Sequence, residues 1–135
     1  MHLVLVTASA PEALANVRAA VRDFLSRTPV DPARHDLIVL AIDEACANII
    51  RHAYSGLHTG RIRITLRCGP RRFATELRDY GAPLIPGALK GRSLDNAAPG
   101  GLGLHLIRTA FPEVRYLPRP RGTLLVLRLP LDRKR

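Results

Sequence analysis

The stretch from Pro32 to Ala53 constrains this chain more than any other, because no helix breaker interrupts it after its first residue. As a helix of about 22 residues it would be roughly 33 Å long at 1.5 Å per residue. Its opening pairs Asp31 with Pro32, an N-cap followed by a residue whose fixed φ suits the first turn. Most of the stretch is apolar on every side, from Leu37, Ile38, Val39, Leu40, Ala41 and Ile42 through Ala45, Ala47, Ile49 and Ile50. Such a helix must be covered, and a β-sheet is the partner broad enough to cover it. Four polar residues, Asp43, Glu44, Asn48 and His52, interrupt it, and polar groups on a buried helix need partners.

Strand signals flank this helix. Residues 3–7 are β-branched and leucine-rich, and Ser9 followed by Pro11 and Glu12 has the chemistry of a helix N-cap. The helix it opens runs to about Ser26, with Leu14, Val17, Val21, Phe24 and Leu25 as its buried stripe. After Gly56 and Gly60, Ile62, Ile64 and Leu66 alternate with Arg61, Arg63 and Arg67, as a half-buried strand does. Cys68 to Arg71 supplies a turn, and Phe73 to Asp79 reads as the returning strand. From Gly81 to Gly101 there is a loop of about 20 residues, a length that in a small domain marks function or mobility. Leu84 to Gly100 within it is expected to form a lid that orders over a ligand. Leu102 to Phe111 reads as a short helix, and Val114 to Leu117 and Thr123 to Leu129 as strands joined through Arg121 and Gly122. This order predicts an α+β fold, a two-layer sandwich whose mostly antiparallel sheet is covered on one face by helices, as a single domain over residues 1–135.

Charge and composition narrow the partners. The 135 residues hold 21 Lys and Arg against 11 Asp and Glu, a formal net charge of +10 that favours acidic partners. With three Phe, three Tyr, no Trp and scattered basic residues, the chain offers few stacking platforms, which argues against direct nucleic-acid binding. The run Leu37–Ile42 is far short of the roughly 20 residues a membrane span needs. Met1 to Val6 lacks the basic start and cleavage site of a signal peptide, so a cytoplasmic protein is expected. Cys46 and Cys68 lack metal spacing and read as small hydrophobes.

Three constellations carry chemistry. Glu44 and Asn48 are four residues apart and share a helical face, which His52 continues with a slight drift. A carboxylate beside an amide could hold a hydrated Mg²⁺ and orient a nucleophile; alternatively the acids are solvated and Asn48 caps a loop. Asp79-Tyr80-Gly81 puts an acid at a strand's end before a glycine turn, where it could accept a hydrogen bond from an adenine amino group or simply end the strand. Gly100-Gly101-Leu102-Gly103 runs into an amphipathic helix, so free N–H groups meet the positive dipole end in an arrangement suited to phosphate. Neither a Walker loop nor a dinucleotide fingerprint is present.

In this order and spacing, Glu44-x-x-x-Asn48-x-x-x-His52-Ala53-Tyr54, Asp79-x-Gly81, Gly101-x-Gly103-Leu104 and Gly122-Thr123 resemble the nucleotide-site boxes of the GHKL ATPases, the superfamily of gyrase and sensor histidine kinases. The stretch from Ala41 to Tyr54, with Gly103 to Arg108 and Glu113 to Tyr116, looks most like the anti-sigma factor serine/threonine kinases. The resemblance implies the Bergerat ATP-binding fold, ATP and Mg²⁺ as cofactors, Glu44 as catalytic base, Asn48 as Mg²⁺ ligand, and Asp79 with Gly81 as adenine readers. It also implies a phosphate box of Gly101, Leu102, Gly103 and Leu104, and Thr123 as a residue that helps hold the base; His52 is implied to be structural. The implied partners are a sigma factor and a STAS-domain anti-sigma antagonist, which such a kinase phosphorylates on serine, with a homodimer as a further arrangement found among relatives.

Two departures stand out. Leu102 occupies a place where many kinases of this family carry an arginine or another long residue near the terminal phosphate, so Lys90, Arg92 or Arg108 would have to supply that charge. Pro83 stands where a second glycine is frequent. A non-catalytic nucleotide-binding switch module on the same fold is the alternative to a kinase, and a basic nucleic-acid-binding protein is a third reading.

Overall fold

The structure, a computed structural model, describes residues 1–82 and 101–132; Pro83, Lys90, Arg92 and the expected lid over 84–100 lie outside them. The elements run β1 (His2–Ala8), α1 (Leu14–Ser26), α2 (His35–Asn48), β2 (Arg61–Cys68), β3 (Arg72–Asp79), α3 (Gly101–Ala110), β4 (Glu113–Pro118) and β5 (Thr123–Pro130). Short 3₁₀ turns over Pro11–Ala13 and Pro32–Arg34 lead into α1 and α2. The five strands form one sheet in the order β1-β2-β3-β5-β4, every neighbouring pair antiparallel. The chain thus goes from β3 through α3 to the far edge and returns as β5 into the gap beside β3. That return sets the first residues of β5 against the last residues of β3.

Period-2 alternation gives the sheet two unlike faces. Ile62, Ile64 and Leu66 of β2, Phe73 and Leu77 of β3, and Leu125, Leu127 and Leu129 of β5 are buried against the helices. Helix α1 contributes Leu14, Val17, Val21, Phe24 and Leu25, and α2 contributes Ile38, Val39, Ala41, Ile42, Ala45 and Cys46. All three phenylalanines of the chain meet in this core, with Phe73 of β3 6.2 Å from Phe24 and 6.0 Å from Phe111 between ring centroids. Both cysteines are buried and free, and burial, with Asp43 adding to it, pushes the Cys46 thiol up to about 12, so Cys46 packs as a small hydrophobe. No helix among the described residues is long and apolar enough to cross a membrane.

Two expectations are corrected in detail. Ser9 does not cap α1: it is fully buried, its hydroxyl donates to the Leu57 carbonyl at 2.5 Å and accepts the Gly60 N–H at 2.9 Å, and it ties the end of β1 to the 57–60 turn. The proline-led turn before α1 starts the helix without a side-chain cap. The long second helix is not α-helical throughout, for Pro32–Arg34 is 3₁₀ and Ile49–Ala53 is a π-helical turn, closed by the Tyr54 N–H on the Ile49 carbonyl at 3.2 Å. Asp31 does act as the N-cap, accepting the Ala33 N–H at 3.0 Å.

Because Phe73 bridges the layers and is fully buried, Phe73→Ala should destabilise the fold by about 3–5 kcal/mol. Leu40, on the outer side of α2 and 52% exposed, should tolerate alanine within about 0.5 kcal/mol. Urea unfolding of the two variants checks the contrast, and equal losses would contradict the layer assignment.

Candidate functional site

Glu44 and Asn48 sit half-buried on the side of α2 that the core leaves free. Asp43, one residue earlier, turns away and pairs with Arg18 of α1 at 2.6 Å, so the two adjacent acids have different environments. The third member of the row is Arg51, which sequence reasoning did not select. Its Nη2 donates to Glu44 Oε1 at 3.1 Å and to Asn48 Oδ1. Arg51 lies in the π-helical turn over Ile49–Ala53, where the winding departs from 3.6 residues per turn, so the α-helical spacing that links Glu44 to Asn48 does not extend to it.

The N-terminal turns of α3 close over this row. A methyl group on Gly103 would lie 2.7 Å from the Glu44 carboxyl carbon, so the approach of α3 to Glu44 depends on the missing side chain. Gly101 and Leu102 form the first turn of α3, and Leu104 points into the core at 9% exposure. Glu44 therefore faces the end of α3 whose positive dipole end attracts anionic groups. Arg108 is exposed near the other end of α3, where its charge offsets part of the upward push that burial exerts on the Tyr116 phenol of β4.

Asp79 forms the second part of the site. It ends β3 with 1% of its surface exposed, and its carboxylate accepts the Gly81 N–H at 3.1 Å and the Thr123 N–H. Burial holds its pKa above the ordinary aspartate value; the Gly81 N–H, the Arg78 charge and the Thr123 N–H oppose this without cancelling it. Gly122 has φ +77°, and a methyl group there would lie 2.7 Å from Asp79 Oδ1, so only glycine lets β5 begin against this carboxylate. The turn after Asp79 is docked on the end of α2: the Ala82 N–H donates to the Ala53 carbonyl at 2.7 Å. Tyr54 Oη accepts the Tyr80 N–H at 2.8 Å while donating to the Arg61 carbonyl at 2.5 Å.

The Thr123 hydroxyl is buried and has no partner among the described residues. The other such hydroxyl, on Thr75, lies between Leu66 and Leu127 in the sheet, whereas Thr123 adjoins a carboxylate. A buried acceptor beside an unsatisfied hydroxyl suits a heterocycle that offers an amino group and a ring acceptor, as adenine does. Among the described residues no three His, Cys, Asp or Glu side chains converge on a metal position. Glu44 and Asn48 nevertheless direct two oxygens at one positive group, the Arg51 guanidinium. That donor set fits a cation that keeps most of its shell as water and phosphate.

The profile of the histidine kinase-like ATPase domain matches residues 7–129. The chain belongs to the histidine kinase-like ATPase domain family. Within reach of this family the chain is 40% identical over 86 residues to the serine/threonine-protein kinase BtrW of Bordetella bronchiseptica, covering 61% of each protein. It is 27% identical over 113 residues to the serine-protein kinase RsbW of Bacillus licheniformis, covering 78% of this chain and 71% of that one. The crystal structure of the RsbU and RsbW domains of Rv1364c from Mycobacterium tuberculosis superimposes with a TM-score of 0.71 at 21% identity, covering 98% of this chain and 32% of that one. The shared fold is the antiparallel five-stranded sheet with helices that the sequence predicts.

The raised pKa of Asp79 has a definite consequence for stability. A carboxyl favoured in its protonated form by the fold adds most to stability below the unfolded-state value of 3.8, and loses that contribution as pH rises through the folded-state value. Asp79→Asn, which stays neutral, should therefore gain in melting temperature relative to the wild type as pH is raised from about 4 to about 7. Thermal unfolding of the ligand-free proteins across that range checks the sign, and a gap that narrows instead would contradict it.

Proposed function

We propose that this chain is an ATP-dependent protein serine/threonine kinase that phosphorylates a STAS-domain anti-sigma antagonist and binds a sigma factor in the cytoplasm. The observation that carries the reading is the apposition of Glu44 to Gly103, which sets a carboxylate at the phosphate-attracting end of α3. Family membership and relatives named as serine and serine/threonine kinases support it.

In this reading adenine lies against Asp79 and Thr123, its amino group donating to the carboxylate, a contact that the guanine carbonyl cannot make. The triphosphate runs towards Gly101 and Gly103. Asn48 would hold Mg²⁺, which when bound would supply charge to the phosphates. Glu44 accepts the proton of the incoming serine hydroxyl as its oxygen bonds to the terminal phosphorus and the bond from that phosphorus to the bridging oxygen breaks, leaving ADP. Arg51 holds the Glu44 carboxylate on this side of α2 and brings a guanidinium charge to the row. A non-catalytic switch on the same fold is the second reading, favoured by Leu102 in place of a long cationic residue.

Glu44→Gln keeps shape and hydrogen bonding but removes the base, so nucleotide affinity should persist while phosphoryl transfer falls by roughly 10²–10⁴-fold. Asn48→Ala should instead lose the Mg²⁺-dependent part of nucleotide binding, and transfer with it. Calorimetry and radiolabel transfer to a cognate STAS protein separate the outcomes. Equal labelling by wild type and Glu44→Gln removes Glu44 as the base, and nucleotide binding without transfer by the wild type favours the switch.

A further inference from the structure

The face of the sheet turned away from the helices carries charge that the nucleotide site does not use. One row across it reads Val6, Arg63, Arg78 and Leu124, so two arginines stand directly opposite one another on β2 and β3. Like charges in that relation weaken a strand pair. Arg61 and Arg121 lie at the same end of the face. Among the described residues none of these four arginines forms an ion pair, although the Arg78 charge acts on Asp79, whereas Arg18, Arg22, Arg27, Arg51 and Arg128 each form one.

A shallow cleft of about 600 Å³ lies among Arg61, Arg63 and Arg121, with Val6, Leu57 and Tyr80 also on its walls. Those last three are among the most exposed large apolar side chains of the described chain, at 60%, 63% and 44%. Arg78 stands behind the Tyr80 wall, its guanidinium 4.4 Å over the Tyr80 ring and donating to the Arg121 carbonyl at 2.7 Å. An apolar patch edged by arginines and a tyrosine has the composition of a protein-binding surface rather than a solvated one.

We propose that this cleft docks an acidic segment of a partner protein, one that presents an aliphatic side chain flanked by carboxylates. The aliphatic group would cover Val6 and Leu57 while the carboxylates pair with Arg61, Arg63 and Arg121, relieving the opposed charges of the row. A nucleic acid fits less well, because Arg78 already covers one side of the Tyr80 ring and Glu76 and Glu113 put negative charge further along the same face. A second copy of the chain fits less well again, since it would set one arginine row on another. The inference does not depend on the nucleotide reading: Arg61, Tyr80 and Arg78 also lie in the surroundings of Asp79, but the proposed partner contacts use none of Glu44, Asn48, Arg51, Asp79, Gly103 or Thr123.

The test measures binding of the full chain to a fluorescent synthetic peptide repeating Glu-Glu-Leu, at low and at near-physiological salt, beside a labelled oligothymidylate. The peptide should bind, more weakly as salt rises, and the Arg61→Glu/Arg63→Glu double variant should lose on the order of tenfold or more in affinity. Arg63→Gln relieves the opposed pair without adding charge, so it should melt at the same or a higher temperature and still bind the peptide several-fold less well. Any of four results overturns the proposal: no peptide binding by the wild type, equal binding by the variants, tighter binding of the oligothymidylate, or a wild-type dimer in sedimentation that Arg63→Glu dissolves.

Discussion

The burial of α2 is the constraint on which the rest of the structure depends. A helix apolar on nearly every side has to be covered by the sheet and by both neighbouring helices, and α1 and α3 supply the lateral cover. One narrow side remains, and the polar residues that α2 carries there, Glu44 and Asn48, are held rigidly because everything around them is packed. The site is thus a by-product of core formation in position and an exception to it in chemistry. Arg51 completes it, giving two oxygens on a mostly buried helix a partner without drawing on water.

Close approach, rather than added contacts, joins the parts of the site. Gly103 lets α3 come up to Glu44, and Gly122 lets β5 start against Asp79; in both places a single methyl group would occupy the space of a carboxyl atom. These contacts are polar on one side and backbone on the other, so they join the parts without sealing them under apolar surface. Asp79 illustrates the cost of the arrangement. It is buried more completely than its two N–H donors and the Arg78 charge compensate, and its raised pKa records the shortfall. A buried carboxylate left under-satisfied in this way detracts from stability at neutral pH.

The two faces of the sheet show the same division of labour on a larger scale. The inner face is continuous aliphatic and aromatic core, joined across layers by the three phenylalanines. The outer face carries arginines whose mutual repulsion works against strand pairing, and three exposed apolar side chains cluster at the same end as the charges. Features that lower the stability of the isolated chain persist where another molecule makes use of them.

The elements themselves were legible in the sequence, because the signals that set them act within a few residues. Alternation from Arg61 to Cys68, the three- and four-residue spacing in α1, and the Asp31 cap each specify a local conformation whatever the rest of the chain does. The order of boxes along the chain was enough to name the superfamily, and Glu44, Asn48 and Asp79 could be selected as its polar landmarks. Arg51 lies in the π-helical turn that no local signal announced, and the folded chain brings its guanidinium to Glu44 and Asn48. The strand order was decided by tertiary structure, since nothing local dictates that β5 returns into the gap between β3 and β4. That single topological choice places Thr123 and Gly122 on Asp79, residues more than forty positions apart. Ser9 likewise carries the local signature of a cap, yet a distant carbonyl and N–H claim its hydroxyl. Sequence patterns report each residue's preference among nearby partners, and only the packed chain determines which distant partner outcompetes them.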